Sequence, residues 1–131
     1  GQFSNIFFLS SEDIARTSQP LYHLVATCDG LITDYSSVYV NYLVLNKPIF
    51  FAYDDMAEYE ANRGFMFEDV KRIMPGAHIN TMSALLSCIH DFAKGRDAYG
   101  DIRLDVCKKL NKYRDASNSR RLLMELGLID G

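Results

Sequence analysis

Leu31-Ile32-Thr33-Asp34-Tyr35-Ser36-Ser37 reads as the end of a buried strand running straight into the start of a helix. Small hydroxyl residues stand where the first unpaired N–H groups of the helix must point. In α/β folds this junction is a ready-made anion site. The strand takes Gly30 to Thr33, and the helix takes Ser37 to Leu45, apolar nearly all round and so expected to be buried on most sides. Asn46 suits a left-handed helix end, and Pro48 forbids continuation. Pro48 to Ala52 follows as a continuously hydrophobic strand, the signature of a central, parallel strand covered on both faces.

Outward from this centre, Asn5-Ile6-Phe7-Phe8-Leu9 is a short apolar run, expected to be a buried first strand. Ser10 and Ser11 offer helix caps with Glu12 and Asp13 in the first turn. Pro20 opens a second helical stretch with Leu21, Leu24 and Val25 on one face, ending near Asp29-Gly30. Asp54 to Asn62 reads as a short acidic helix, Arg63-Gly64-Phe65 as a turn, and Ala77 to Asn80 as another strand after the Pro75-Gly76 turn. Thr81 or Ser83 caps a helix carrying Leu85, Leu86, Ile89 and Phe92, and two more helices cover Ile102 to Tyr113 and Ser117 to Leu126. Strands alternating with helices make an α/β domain, a parallel sheet flanked by helices, over residues 1–131. Ligands of such sheets bind beyond the C-terminal strand ends. The Ser36 helix start and the Asp54–Arg63 segment are therefore expected to border one crevice.

Composition narrows the function. The 131 residues are 48% hydrophobic and 24% charged, with a net charge of -3. No Lys/Arg run exceeds two residues, which argues against nucleic acid as the partner. Cys28, Cys88 and Cys107 lack metal-ligand spacing; with Cys28 and Cys88 among apolar neighbours they read as buried free thiols, suited to a reducing, cytoplasmic setting. No signal or transmembrane run stands out, and a strand-like start suggests a piece of a longer protein.

Few side chains are candidates for chemistry. Ser36 and Ser37 either grip an anion or merely cap the helix. Asp34 would repel a phosphate, so it caps the helix, orders the loop, or accepts from a ligand hydroxyl or a basic side chain. Arg63 either forks onto a phosphate or pairs with Glu58 or Glu60. Asn41, one turn into the helix from Ser37, faces the crevice or cross-links the core. His23, His78 and His90 read as structural. A two-component receiver is excluded by Leu9-Ser10-Ser11 at the end of the first expected strand, where an acidic pair belongs.

Several ordered motifs resemble one family. Asp29 to Ser37 followed by Leu45-Asn-Lys-Pro-Ile49, then Asp55 to Tyr59 before Arg63-Gly-Phe-Met-Phe67, Pro75-Gly76, and Asn111-Lys-Tyr-Arg-Asp115 before Ser117, Ser119 and Arg120, are similar to the CDP-glycerol glycerophosphotransferases, the teichoic acid primases and polymerases. The resemblance implies the Rossmann-like, C-terminal, donor-binding half of a two-domain GT-B fold. It implies that Ser36 and Ser37 contact the CDP-glycerol pyrophosphate and that Thr33, Asp34, Asn41, Arg63 and Gly64 line the same donor pocket. The reaction implied is transfer of glycerol phosphate from CDP-glycerol to a hydroxyl of a lipid-linked acceptor, releasing CMP. No metal and no cofactor are called for.

Three departures accompany the resemblance. Asn41 stands where the family usually has an acid, which keeps CDP-ribitol or a nucleotide sugar open as the donor. The usual Asp-Gly before the last helix is Asp115-Ala116. The family's N-terminal domain and its His-Pro motif, with the candidate catalytic histidines, lie outside this sequence. No catalytic residue is therefore assigned, and the chain alone is expected to be inactive. The acceptor and any membrane contact, peripheral on the cytoplasmic face, are expected to use those other segments. A noncatalytic scaffold domain is the remaining alternative.

Overall fold

The computed structural model describes residues 5–17, 19–65 and 69–130. Three short strands, β1 (Leu31–Thr33), β2 (Ile49–Ala52) and β3 (Ala77–Ile79), form one parallel sheet in the order β1-β2-β3. The register sets Thr33 beside Phe51, and Phe51 beside His78. β2 is central, as its apolar run predicts. Among the described residues there are seven α-helices: α1 (Ser11–Arg16), α2 (Leu21–Thr27), α3 (Val38–Tyr42), α4 (Met56–Asn62), α5 (Met82–Ala93), α6 (Gly100–Leu110) and α7 (Asn118–Glu125). The architecture is α/β with a small three-stranded parallel sheet flanked by helices.

The core lies on one face of that sheet. Ile49 and Phe51 point from β2 into a cluster with Tyr39, Tyr42 and Leu43 from the α3 segment, Met74, and Val106 and Cys107 from α6. Phe51 is fully buried and meets Tyr39 edge-on at 5.2 Å between ring centroids. The other face is thinner: Phe50 meets Phe92 of α5 at 6.0 Å, while Leu86 and Ile89 of the same helix stay exposed. The expectation that β2 is covered on both faces therefore holds more fully on the α3/α6 side. Gly76 is required where it stands, because a Cβ there would lie 2.1 Å from the Ile49 carbonyl oxygen.

Asn46 ends the helical run at φ 49°, ψ 29°, the left-handed stop expected before Pro48. The run is not one helix, however. α3 ends at Tyr42 and tightens into a 3-10 turn over Leu43–Leu45, with Val44 and Leu45 exposed. Burial on most sides thus applies to Tyr39, Tyr42 and Leu43 rather than to the whole stretch. Thr81 proves to be the cap of α5, accepting from the Ala84 amide at 3.2 Å. Ser10 caps α1 in a reciprocal box with Asp13.

Two expectations are corrected. Residues Ile6 to Leu9 form no strand, and Phe7 and Phe8 are 82% and 92% exposed. An apolar run becomes a strand only with an edge to pair with and a layer to cover it. Here α1 and α2 bury no residue, and among the described residues β1 pairs with β2 alone. Cys28 is exposed and Cys88 half-buried; only Cys107 is the buried thiol expected, and all three are free. Cys28 follows the last residue of α2, a helix that lies at the surface, so apolar neighbours in sequence do not enclose it.

Buried Arg103 ties the loops behind the sheet together. Its guanidinium donates to both oxygens of Asp97, one at 3.0 Å, and to the Asn46 carbonyl at 3.1 Å. Arg103 is 1% exposed, and the pairing holds the Asp97 carboxyl below its usual range.

Candidate functional site

The site begins at the C-terminal end of β1. Asp34 does not cap the helix; its Oδ1 accepts the Ser36 amide at 2.6 Å and so orders the turn. The Thr33 hydroxyl approaches the same oxygen at 3.5 Å. Ser37 occupies the cap position of α3, yet neither it nor Ser36 uses its hydroxyl as a cap, and among the described residues neither hydroxyl has a hydrogen-bond partner. The capping reading of Ser36 is therefore not what the structure adopts. Both side chains are exposed, while the Ser36 amide is held by Asp34 and the Tyr39 and Val40 amides donate to the Ser36 and Ser37 carbonyls.

Asn41 is also exposed and does not cross-link the core. It lies with Ser37, Tyr35, Tyr39 and Phe65 along a cleft of about 450 Å³ whose floor is mainly apolar. Behind it, the Asn111 side chain donates to the Val40 carbonyl at 2.9 Å, bracing α3 against the end of α6. Asn111 belongs to the ordered motifs, and its work here is to hold the helix that carries the site.

Arg63 forms no ion pair with Glu58 or Glu60 among the described residues. Its guanidinium lies 5.8 Å from the centre of the Tyr59 ring, and the residue is exposed. Gly64 adopts φ 70° and donates to the Glu60 and Tyr59 carbonyls, so its place is the helix end itself.

The Ser36 turn and the Asp54–Arg63 segment touch through side chains not singled out as candidates for chemistry, although no residue of 54–63 lines the cleft. Tyr35 packs on Tyr59 at 4.2 Å, on Phe65 at 5.6 Å and on Tyr53 at 6.0 Å. Its hydroxyl donates to Asp55 Oδ1 at 2.8 Å. Burial, then the Asp55 carboxylate, push the Tyr35 phenol up to about 12. Next along the sheet edge, the Tyr53 hydroxyl lies 2.5 Å from His78 Nδ1. Partial burial lowers the His78 pKa, partly opposed by a backbone hydrogen bond with Met74. The available signal was positional: Tyr35 and Tyr53 each stand just past the end of a parallel strand.

A turn with free hydroxyls at a strand end, joined through an aromatic cluster to the helix that ends at Arg63, suits an anionic ligand joined to a flat or apolar group. Among the described residues, no group of three or more His, Cys, Asp or Glu could hold a metal ion. Nor does any described helix have the length and apolarity to cross a membrane.

The family model for CDP-Glycerol:Poly(glycerophosphate) glycerophosphotransferase matches residues 6–126. The chain belongs to this glycerophosphotransferase family. Residues Met66 and Phe67 of the quoted motifs lie outside the described residues, but the match runs through the turn, the cleft and both helices that brace it. Relatives include the teichoic acid glycerol-phosphate primase of Bacillus subtilis (strain 168), 32% identical over 122 residues, which are 92% of this chain and 30% of that protein. The teichoic acid ribitol-phosphate polymerase TarL of Staphylococcus aureus (strain NCTC 8325 / PS 47) is 28% identical over 92% of this chain and 20% of its own length. The teichoic acid ribitol-phosphate primase of Bacillus spizizenii (strain ATCC 23059 / NRRL B-14472 / W23) is 36% identical over 62% of this chain and 20% of its own. The chain thus spans less than a third of these relatives. By these names the family is one of enzymes, transferases and polymerases of teichoic acid synthesis.

Proposed function

We propose that the chain is the donor-binding domain, the C-terminal half of a GT-B fold, of a glycerophosphotransferase that uses CDP-glycerol. The observation that carries this is the family match through a strand-end turn whose Ser36 and Ser37 hydroxyls have no hydrogen-bond partner among the described residues. Ser36 and Ser37 take the pyrophosphate, and Thr33 and Asp34 shape the turn beneath it. Arg63 approaches from α4, and Asn41 meets the transferred polyol phosphate in the cleft. Fixed dipoles and one cation then stabilise the leaving group. In the reaction an acceptor hydroxyl oxygen forms a bond to the glycerol-bearing phosphorus. The bond from that phosphorus to the CMP oxygen breaks, and the hydroxyl proton leaves with a base from another domain. The acceptor, lipid-linked, and the attachment to the cytoplasmic membrane face belong to that part of the protein as well. The chain by itself turns over no donor; CMP release by the 131 residues with a lipid-linked acceptor would contradict this.

CDP-ribitol is the second reading, supported by the ribitol-phosphate relatives and by Asn41. Competition of CDP-glycerol, CDP-ribitol and a UDP-sugar for the same site tests both readings. CDP-glycerol is expected to displace the others. Preference for CDP-ribitol would move the assignment to the second reading, and binding of none would remove both.

A further inference from the structure

We infer that Asp55 and Tyr35 form a positioning pair that sets the Asp34–Ser37 turn against the helix carrying Arg63. As regards the ligand, the inference rests on the donor-site reading above. Tyr35 sits inside the turn, between Asp34 and the two serines, and points away from it. Its hydroxyl bonds Asp55, the residue before α4, at 2.8 Å. Its ring lies on Tyr59, one turn further along the same helix, at 4.2 Å. Tyr59 is also the ring beside Arg63. One side chain thereby links the anion turn to the helix that presents the candidate cation. β1 and β2 adjoin, but the three-residue β1 ends at Thr33, so no strand hydrogen bond controls residues 34–37. A hydrogen bond to a carboxylate is among the stronger kinds, and it is directional where ring packing is not. Asp55 thus fixes the orientation of Tyr35 as well as its position. None of this requires Asp55 or Tyr35 to touch the donor.

Tyr35→Phe keeps the ring and removes only the hydroxyl; Asp55→Asn keeps an acceptor, and Asp55→Ala removes it. Amide exchange at Ser36 reads the order of the turn without any ligand. We expect Tyr35→Phe and Asp55→Ala each to speed exchange about 5- to 10-fold, with no further rise in the double variant, while Asp55→Asn stays near the parent rate. Melting temperatures should remain close to the parent. Unchanged Ser36 exchange in Tyr35→Phe, or full additivity in the double variant, overturns the inference. CDP-glycerol titration of the same proteins separates the two claims. Absence of binding in the parent chain defeats the donor reading and leaves the exchange result standing. Binding by the parent, weakened about 5- to 10-fold in Tyr35→Phe and restored in Asp55→Asn, supports both. Equal donor affinity in all variants of a binding parent also overturns the inference.

Discussion

The carboxylate of Asp34 holds the amide of Ser36 at 2.6 Å, two residues along the same turn. An acid beside a phosphate site looks self-defeating, but this one is already committed to a backbone N–H. Asp34→Ala should free that amide and disorder the turn, with a stability loss of only about 1 kcal/mol because the site is exposed. Donor affinity should fall by more than that loss implies, and Asp34→Asn should keep much of it. Parallel urea unfolding and CDP-glycerol titration would check the pair of effects.

The Arg103–Asp97 pair should respond unequally to truncation. Arg103 is 1% exposed in its side chain and Asp97 28%. Asp97→Ala strands a buried cation, for which about 3–5 kcal/mol is the usual cost. Arg103→Met leaves an acid that water can reach, so its cost should be smaller. Because Asp97 is held below its ordinary value, the pair's contribution is full above that value and disappears as pH falls through the lowered one. Urea unfolding at neutral pH gives the order of the two variants directly.

His78 should make the fold sensitive to mild acid. Its folded pKa lies below the ordinary 6.5, so the unfolded chain takes up a proton first. Stability is then full above about pH 6.5 and declines as pH falls from there toward the lowered value. His78→Gln should flatten that part of the curve. Thermal melts of both proteins between neutral pH and pH 5 would show it.

Much of this fold is legible in the residues. Asn46, Pro48 and the uninterrupted Ile49-Phe50-Phe51 mark a helix stop and a central strand, because each feature acts through local sterics or burial on both faces. Ile6 to Leu9 mislead for the opposite reason: pairing is a property of neighbours that a run of apolar letters does not name. The same holds at the site. Thr33 to Ser37 can be found from hydroxyls at a strand-to-helix junction. That Tyr35 should span to Asp55, 20 residues away, follows only from the parallel register of β1 and β2. Ala116 shows a departure made structural: it adopts φ 59°, the conformation for which glycine is the usual choice, at the position where the resemblance implies Gly.

The central claim is that Ser36 and Ser37 grip the pyrophosphate of a CDP-linked donor. Replacing both with phenylalanine in the longest protein that carries this chain, and titrating CDP-glycerol calorimetrically, tests it most directly. Binding should be lost while the melting temperature stays close to the parent, since both side chains are exposed. Undiminished affinity in the folded double variant would contradict the account.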